Sequence, residues 1–203
     1  MKNILVTGSY GQLGNEIRIL TEKEADFKVF LTDVDTLDIC DYPAVEKFVN
    51  DNKIDLILNC AAYTAVDKAE DNEEICRKVN AIAPYNLAKA ATKFNAAFIH
   101  ISTDYVFDGT GCIPYTEDMP ATGLSVYGKT KREGELKIFE QLPSAVVIRT
   151  AWLYSEFGNN FVKTMIKLGK EREALGVVFD QIGTPTYALD LANVIYDIID
   201  GRK

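Results

Sequence analysis

Lys2-Asn3-Ile4-Leu5-Val6-Thr7 runs directly into Gly8-Ser9-Tyr10-Gly11-Gln12-Leu13-Gly14 and then Asn15-Glu16-Ile17-Arg18-Ile19-Leu20. A short apolar strand, a glycine turn and an amphipathic helix in this order are what a dinucleotide-binding fold requires. The first glycine permits the tight bend, the second lets a pyrophosphate approach the backbone, and the third allows helix and strand to pack closely. The phosphates then sit on the helix N-terminus. The spacing is GxxGxxG rather than GxGxxG, so position carries the reading: a strand before, a helix after, and an acid at the right distance. That acid is Asp33, which closes the apolar run 27–32 and lies about 20 residues beyond Gly14, where a carboxylate bonds a ribose hydroxyl. A carboxylate there repels a 2'-phosphate, and no Arg or Lys occupies positions 32–36, so NADH is favoured over NADPH. Asp35 and Asp38 compete for the ribose role, and all three acids also fit a solvated loop.

Further apolar runs at 54–59, 97–102, 145–149 and 176–179 read as strands, and the segments near 12–22, 43–52, 72–94, 125–141, 158–171 and 188–200 read as helices. The alternation predicts an α/β fold, a Rossmann-type doubly wound parallel sheet with helices on both faces. At 203 residues, 47% hydrophobic and 26% charged, the chain has the composition of a globular protein able to bury a core as one domain. No segment approaches a membrane span, and the N-terminus enters a strand without a secretory pattern, so a cytoplasmic protein is expected. Cys40, Cys60, Cys76 and Cys112 lack CxxC or CxxH neighbours, which fits reduced thiols filling small apolar sites; no metal site is expected. A net charge of -8 argues against nucleic-acid or anionic-membrane partners but leaves room for an anionic small substrate in a basic pocket.

In open parallel sheets, ligands bind beyond the carboxyl ends of the strands. The residues there include Cys60-Ala61-Ala62-Tyr63-Thr64, Ser102-Thr103-Asp104-Tyr105 and Thr150-Ala151-Trp152. Ala61 and Ala62 leave space for a flat cofactor, and the Thr103 hydroxyl suits a substrate carbonyl oxygen. Downstream, Tyr127 and Lys131 are four residues apart, about one helical turn, so both side chains leave one face. Such pairs are common on exposed helices. Beside the other motifs, the phenol reads as a proton donor whose pKa the ammonium lowers. His100, the single histidine, falls inside a strand and reads as a packed core residue rather than a catalyst.

Gly8-x-x-Gly11-Gln12-Leu13-Gly14, Asn59-Cys60-Ala61-Ala62-Tyr63-Thr64-Ala65-Val66-Asp67, Ser102-Thr103-Asp104-Tyr105-Val106-Phe107-Asp108-Gly109, Tyr127-x-x-x-Lys131 and Gly183-Thr184-Pro185-Thr186-Tyr187 follow one another in this order. Together they resemble the dTDP-4-dehydrorhamnose reductases of the extended short-chain dehydrogenase/reductase family, with Cys60 standing where that family usually has alanine. The resemblance implies NAD(P)H-dependent reduction of the 4-keto group of a dTDP-linked deoxysugar, the last step to dTDP-L-rhamnose. It implies that Tyr127 donates the proton, that Lys131 is its pKa partner and ribose anchor, and that Thr103 binds the carbonyl. Asp104 and Trp152 match sugar-contacting positions; Gly8, Gly11, Gln12, Leu13, Gly14, Asp33, Asp38, Ile39, Ala61, Ala62, Tyr63 and Thr64 match cofactor positions. Members of the family are generally longer. The expected organisation is therefore one NAD(P)-binding Rossmann domain over 1–203, with 151–203 opening a substrate-binding region whose remainder is missing. A nucleotide sugar is the implied partner, and a homodimer is left open.

Two other functions fit the same fold. A sugar-nucleotide 4,6-dehydratase or epimerase is one, but dehydratases place Asp-Glu after the catalytic threonine, and Thr103-Asp104 is followed here by Tyr105. The other is a non-catalytic dinucleotide-binding regulatory subunit, against which the intact Thr103, Tyr127 and Lys131 speak.

Overall fold

The computed structural model describes residues 1–22, 26–111 and 113–201; Cys112, read above as one of four reduced thiols, lies outside them. Strands β1 (Lys2–Thr7), β2 (Phe27–Thr32), β3 (Leu56–Asn59), β4 (Ala97–Thr103) and β5 (Val146–Thr150) form one parallel sheet in the order β2-β1-β3-β4-β5. The helices are α1 (Gln12–Thr21), α2 (Tyr42–Asp51), α3 (Val66–Ala69), α4 (Glu73–Arg77), α5 (Ala83–Phe94), α6 (Val126–Gln141), α7 (Phe161–Glu171) and α8 (Ala188–Asp200). Two short strands, β6 (Leu153–Tyr154) and β7 (Thr186–Tyr187), pair with each other in parallel, apart from the main sheet.

Side chains alternate across a strand, so each central strand feeds two cores. Ile4 and Val6 of β1, Leu56 and Leu58 of β3 and Ile99 of β4 pack under Leu13 and Ile17 of α1 and Leu191, Ala192, Ile195 and Ile199 of α8. Leu5, Ile57 and Phe98 face the other way, onto Val45 and Val49 of α2, Leu87, Ala88 and Ala91 of α5 and Ile138 of α6. This is the expected two-faced sheet. Its chain direction reverses between β1, which sends the chain out to β2, and β3, which carries it the other way toward β4. That switch point is where a parallel sheet opens a ligand crevice.

Two elements differ from the sequence-based expectation. Residues 176–179 are not a strand: Val178 is 65% exposed, Phe179 is 96% exposed, and neither pairs with the sheet, whose edge is β5. A β-branched run describes a residue that suits a pleated surface, whereas a strand also needs a ladder partner. The helix expected near 72–94 is interrupted by a π-turn, Lys78–Ile82, between α4 and α5. Such turns widen the helix by one residue and re-aim a side chain, here Asn80.

Candidate active site and cofactor cleft

The glycine turn sits at the switch point and is packed to the limit of a glycine backbone. Gly8 has φ +67°, and a Cβ on it would come within 2.6 Å of the Ala61 amide nitrogen; a Cβ on Gly14 would lie 2.5 Å from the Gly8 carbonyl oxygen. Gly11 is the N-cap of α1 and, having no side chain, leaves the helix terminus uncapped, so its first-turn amides face the cleft with the positive end of the helix dipole. The Asp33 carboxylate is fixed at the tip of β2 by the amides of Tyr10 (3.1 Å) and Val34 (2.9 Å). Asp38 accepts from the Cys40 amide at 2.8 Å. An uncapped helix terminus beside a glycine cradle, with an oriented carboxylate at its rim, fits the pyrophosphate and ribose of a dinucleotide.

From this turn a cleft of about 740 Å³ crosses the carboxyl edge of the sheet. Its wall gathers Gly8, Gly11, Gln12, Leu13, Gly14, Asp33, Asp38, Ile39, Ala61, Ala62 and Thr64 with Thr103, Asp104, Tyr127, Lys131 and Trp152. Tyr63 is the one cofactor position read from the sequence that does not line it. Its backbone instead clamps the Asn80 side chain, the Tyr63 amide donating to Asn80 Oδ1 (2.8 Å) and Asn80 Nδ2 donating to the Tyr63 carbonyl (3.1 Å). Asn80 reaches that loop because of the π-turn, and Gly134 of α6 lies so close to it that a Cβ would meet the Asn80 carbonyl oxygen at 2.2 Å.

Ser125 caps α6 through the Gly128 amide (3.0 Å), and the first turns of the helix bury Tyr127 and Lys131 together. The electrostatics differ from the expectation. Burial pushes the Tyr127 phenol up to about 12, with the Thr103 hydroxyl opposing, so Lys131 does not lower it in this structure. The physical reason is where the amine points: Lys131 Nζ donates to the Ile101 carbonyl (2.7 Å) and lies 3.2 Å from His100 Nε2. Its own pKa is pulled down to about 8 by burial. His100 is fully buried and does not line the cleft. Thr103 donates to Asp104 Oδ1 (3.1 Å) and accepts from the Tyr105 amide (3.2 Å), while burial holds the Asp104 carboxyl above its ordinary value. The Tyr105 ring meets Tyr127 edge-on at 5.6 Å.

Sequence reasoning missed the groups that fix this machinery from behind. Glu135, fully buried one turn beyond Lys131, takes two bonds from Arg149 (2.9 and 2.8 Å), one from Arg132 (2.7 Å) and one from Ser102 (2.6 Å), tying α6 to β4 and β5. The signal available was a glutamate on the same helical face as Tyr127 and Lys131. On the far wall Trp152 holds a left-handed backbone, φ +50°, uncommon for a large side chain and frequent at ligand sites. Gln12 of the glycine-turn helix reaches the same wall, donating to the Leu153 carbonyl (3.3 Å) and accepting from Asn160 (2.9 Å). Ser155 there donates to the buried Glu16 carboxylate (2.8 Å).

Residues 1–203 match the family model described as RmlD substrate binding domain. The dTDP-4-dehydrorhamnose reductase of Aggregatibacter actinomycetemcomitans is 42% identical over 98% of this chain, which spans 68% of that relative's length. A solved dTDP-4-dehydrorhamnose reductase from Clostridium acetobutylicum superposes with a TM-score of 0.95 at 50% identity, covering 98% of this chain and 71% of that one. The Bacillus anthracis reductase, solved in complex with NADP, gives 0.93 at 40% identity over 100% of this chain and 72% of its own. The chain belongs to the RmlD substrate-binding-domain family.

Proposed function

We propose that this chain carries the cofactor cleft and catalytic centre of an NAD(P)H-dependent dTDP-4-dehydrorhamnose reductase, reducing the 4-keto group of dTDP-4-dehydro-L-rhamnose to give dTDP-L-rhamnose. The observation that carries the reading is the meeting of Thr103, Tyr127 and Lys131 on the wall of a cleft whose other end is the glycine turn and Asp33. Relatives and solved structures named as that reductase support it. In this reading the α1 N-terminus holds the pyrophosphate, Asp33 a ribose, and Ala61 and Ala62 the floor under the nicotinamide. When bound, the reduced nicotinamide supplies the hydride.

The chain's own residues supply the rest. A phenol at about 12 stays protonated at neutral pH, so Tyr127 enters the reaction as an acid. It gives its proton only to an oxygen that is becoming an alkoxide, which confines proton transfer to the transition state. In this reading Thr103, which lines the cleft, orients the carbonyl, and Asp104 and the exposed Trp152 on the same wall contact the sugar. Tyr105 packs on Tyr127 where a dehydratase would offer a second carboxylic acid, which supports reduction over dehydration.

The same reading favours NADH through the Asp33 carboxylate, although the B. anthracis relative is solved with NADP. It takes residues 151–203 as the opening of the substrate region and places the reaction in the cytoplasm, in keeping with free Cys40, Cys60 and Cys76. Among the described residues no helix is long and apolar enough to cross a membrane. A homodimer belongs to the reading as well, and sedimentation tests it. The decisive assay follows oxidation of NADH and NADPH with dTDP-4-dehydro-L-rhamnose, on this chain and on the full gene product. Cofactor binding without oxidation in either protein would leave a dinucleotide binder and remove the reductase.

A further inference from the structure

Lys131 is 1% exposed, and among the described residues its amine is in no ion pair. The protons along its contacts can be counted. The Ala61 backbone N–H is a fixed donor 3.1 Å from Asn59 Oδ1, and the Thr7 hydroxyl donates to the same oxygen at 2.7 Å. The Asn59 amide is thereby oriented, with Nδ2 facing His100 Nδ1 at 2.9 Å. An amide nitrogen only donates, so Nδ1 accepts. His100 is neutral, because burial, the larger cause, holds it well below the ordinary imidazole range whichever state Lys131 is in. A neutral imidazole carries one proton, which here sits on Nε2 and points at Lys131 Nζ, 3.2 Å away. A donor needs a lone pair opposite it, and only an uncharged amine has one.

We propose that His100 is a positioning residue for Lys131: Asn59 favours its imidazole in the Nε2–H form, and that N–H donates to the Lys131 amine whenever the amine is uncharged, leaving the amine's own protons for the Ile101 carbonyl and the cleft. The inference deepens the reductase reading and rests on it only for its kinetic consequence. The titratable groups facing the amine are Glu135 on its own helix, Cys60 beyond β3, Cys76 on α4 and His100 on β4. Glu135 is engaged by Arg132, Arg149 and Ser102, burial pushes the Cys60 thiol up to about 12, and the Cys76 thiol faces the Thr130 hydroxyl at 3.2 Å, leaving His100 as the titratable group within hydrogen-bond distance of the amine. Protonating Lys131 sets two donors against each other. Relief requires the imidazole proton to move to Nδ1, which breaks the bond from Asn59. Lysine charge and histidine tautomer are therefore one equilibrium, centred where burial places the amine, at about 8. One helical turn away is the phenol that must recover a proton after each turnover.

His100 is the chain's single histidine, so its imidazole nitrogens are read without assignment ambiguity. Long-range proton–nitrogen correlation at about pH 9.5, where the amine is uncharged, is expected to show the Nε2–H tautomer. Asn59→Asp, which sets an acceptor opposite Nδ1, is expected to move a proton onto Nδ1 under the same conditions. An Nδ1–H imidazole in the unaltered chain at that pH overturns the proposal, with no variant needing to fold; so does a folded Asn59→Asp with an unchanged tautomer. In the reductase assay, His100→Gln is expected to shift the lysine-dependent limb of the turnover profile by about half a pH unit or more while the cofactor KM changes less than about threefold. A rate lowered equally at every pH would reduce His100 to packing and overturn the positioning role. Absence of turnover in the unaltered protein would count against the reductase reading, while the tautomer still decides this one.

Discussion

The five-stranded unit and the segment from 151 to 187 are built on different terms. In the first, Leu5, Ile57 and Leu58 are fully buried, and even the charged Glu135 is enclosed, with Arg132, Arg149 and Ser102 bonded to it. In the second, α7 buries none of its residues, Phe161, Ile166 and Ile182 are exposed, and Phe179 is 96% exposed. The cofactor end of the cleft thus belongs to a finished core, while the wall carrying Trp152 belongs to a segment whose apolar side chains mostly face outward. The chain spans 68% of the length of the A. actinomycetemcomitans relative, and within it packing is tight at the cofactor end of the cleft and open along the Trp152 wall.

That contrast can be broken by substitution. The largest effect is expected at Glu135. Burial alone would raise its pKa, but the bonds from Arg149, Ser102 and Arg132 outweigh burial and hold it below the usual carboxylate value. Its contribution to stability is complete above about pH 4.3, the unfolded value, and fades as pH falls through the lower native one. Glu135→Gln should cost about 3–5 kcal/mol in denaturant melts at neutral pH and flatten the acid limb; equal stability at pH 7 would mean the network is not holding α6. Tyr127→Phe comes next. It should lower turnover roughly a hundredfold or more with little change in NADH affinity, and near wild-type turnover would remove the proton-donor role.

A pair of identical changes then compares the two regions directly. Gly14→Ala meets backbone at 2.5 to 2.7 Å and should destabilise by about 1–3 kcal/mol and weaken cofactor binding at least about tenfold. Gly169→Ala on α7 meets nothing within 4 Å and should stabilise by about 0.5–1 kcal/mol through helix propensity. Thermal melts showing the same sign for both would erase the distinction. The smallest effect is expected for Phe179→Ser, within about 0.5 kcal/mol in this chain. A larger loss would show that the ring is covered in solution.

What was legible in the sequence was what neighbouring residues decide. The glycine turn, the alternation of Ile4 and Val6 against Leu5, and the four-residue step from Tyr127 to Lys131 each carry their meaning within a few positions. The run 176–179 misled because propensity is local and a ladder partner is not. The Asn59 to His100 to Lys131 contacts span separations of 41 and 31 residues, and nothing near any of the three announces the other two. Asn80 was hidden for a related reason: the helical period of 72–94 conceals the extra residue that turns its side chain to Tyr63. The tyrosine pKa was misjudged because spacing puts two side chains on one face without saying which way a flexible amine reaches.

Gln12 gives the cleft a mechanical joint. It stands in the first turn of the helix that would meet the phosphates, yet its amide grips Leu153 and Asn160 across the cleft. Pull on one bank is felt on the other. Substitutions in residues 151–187 that leave the sheet untouched still have to keep a grip for this one glutamine or let the two banks drift apart.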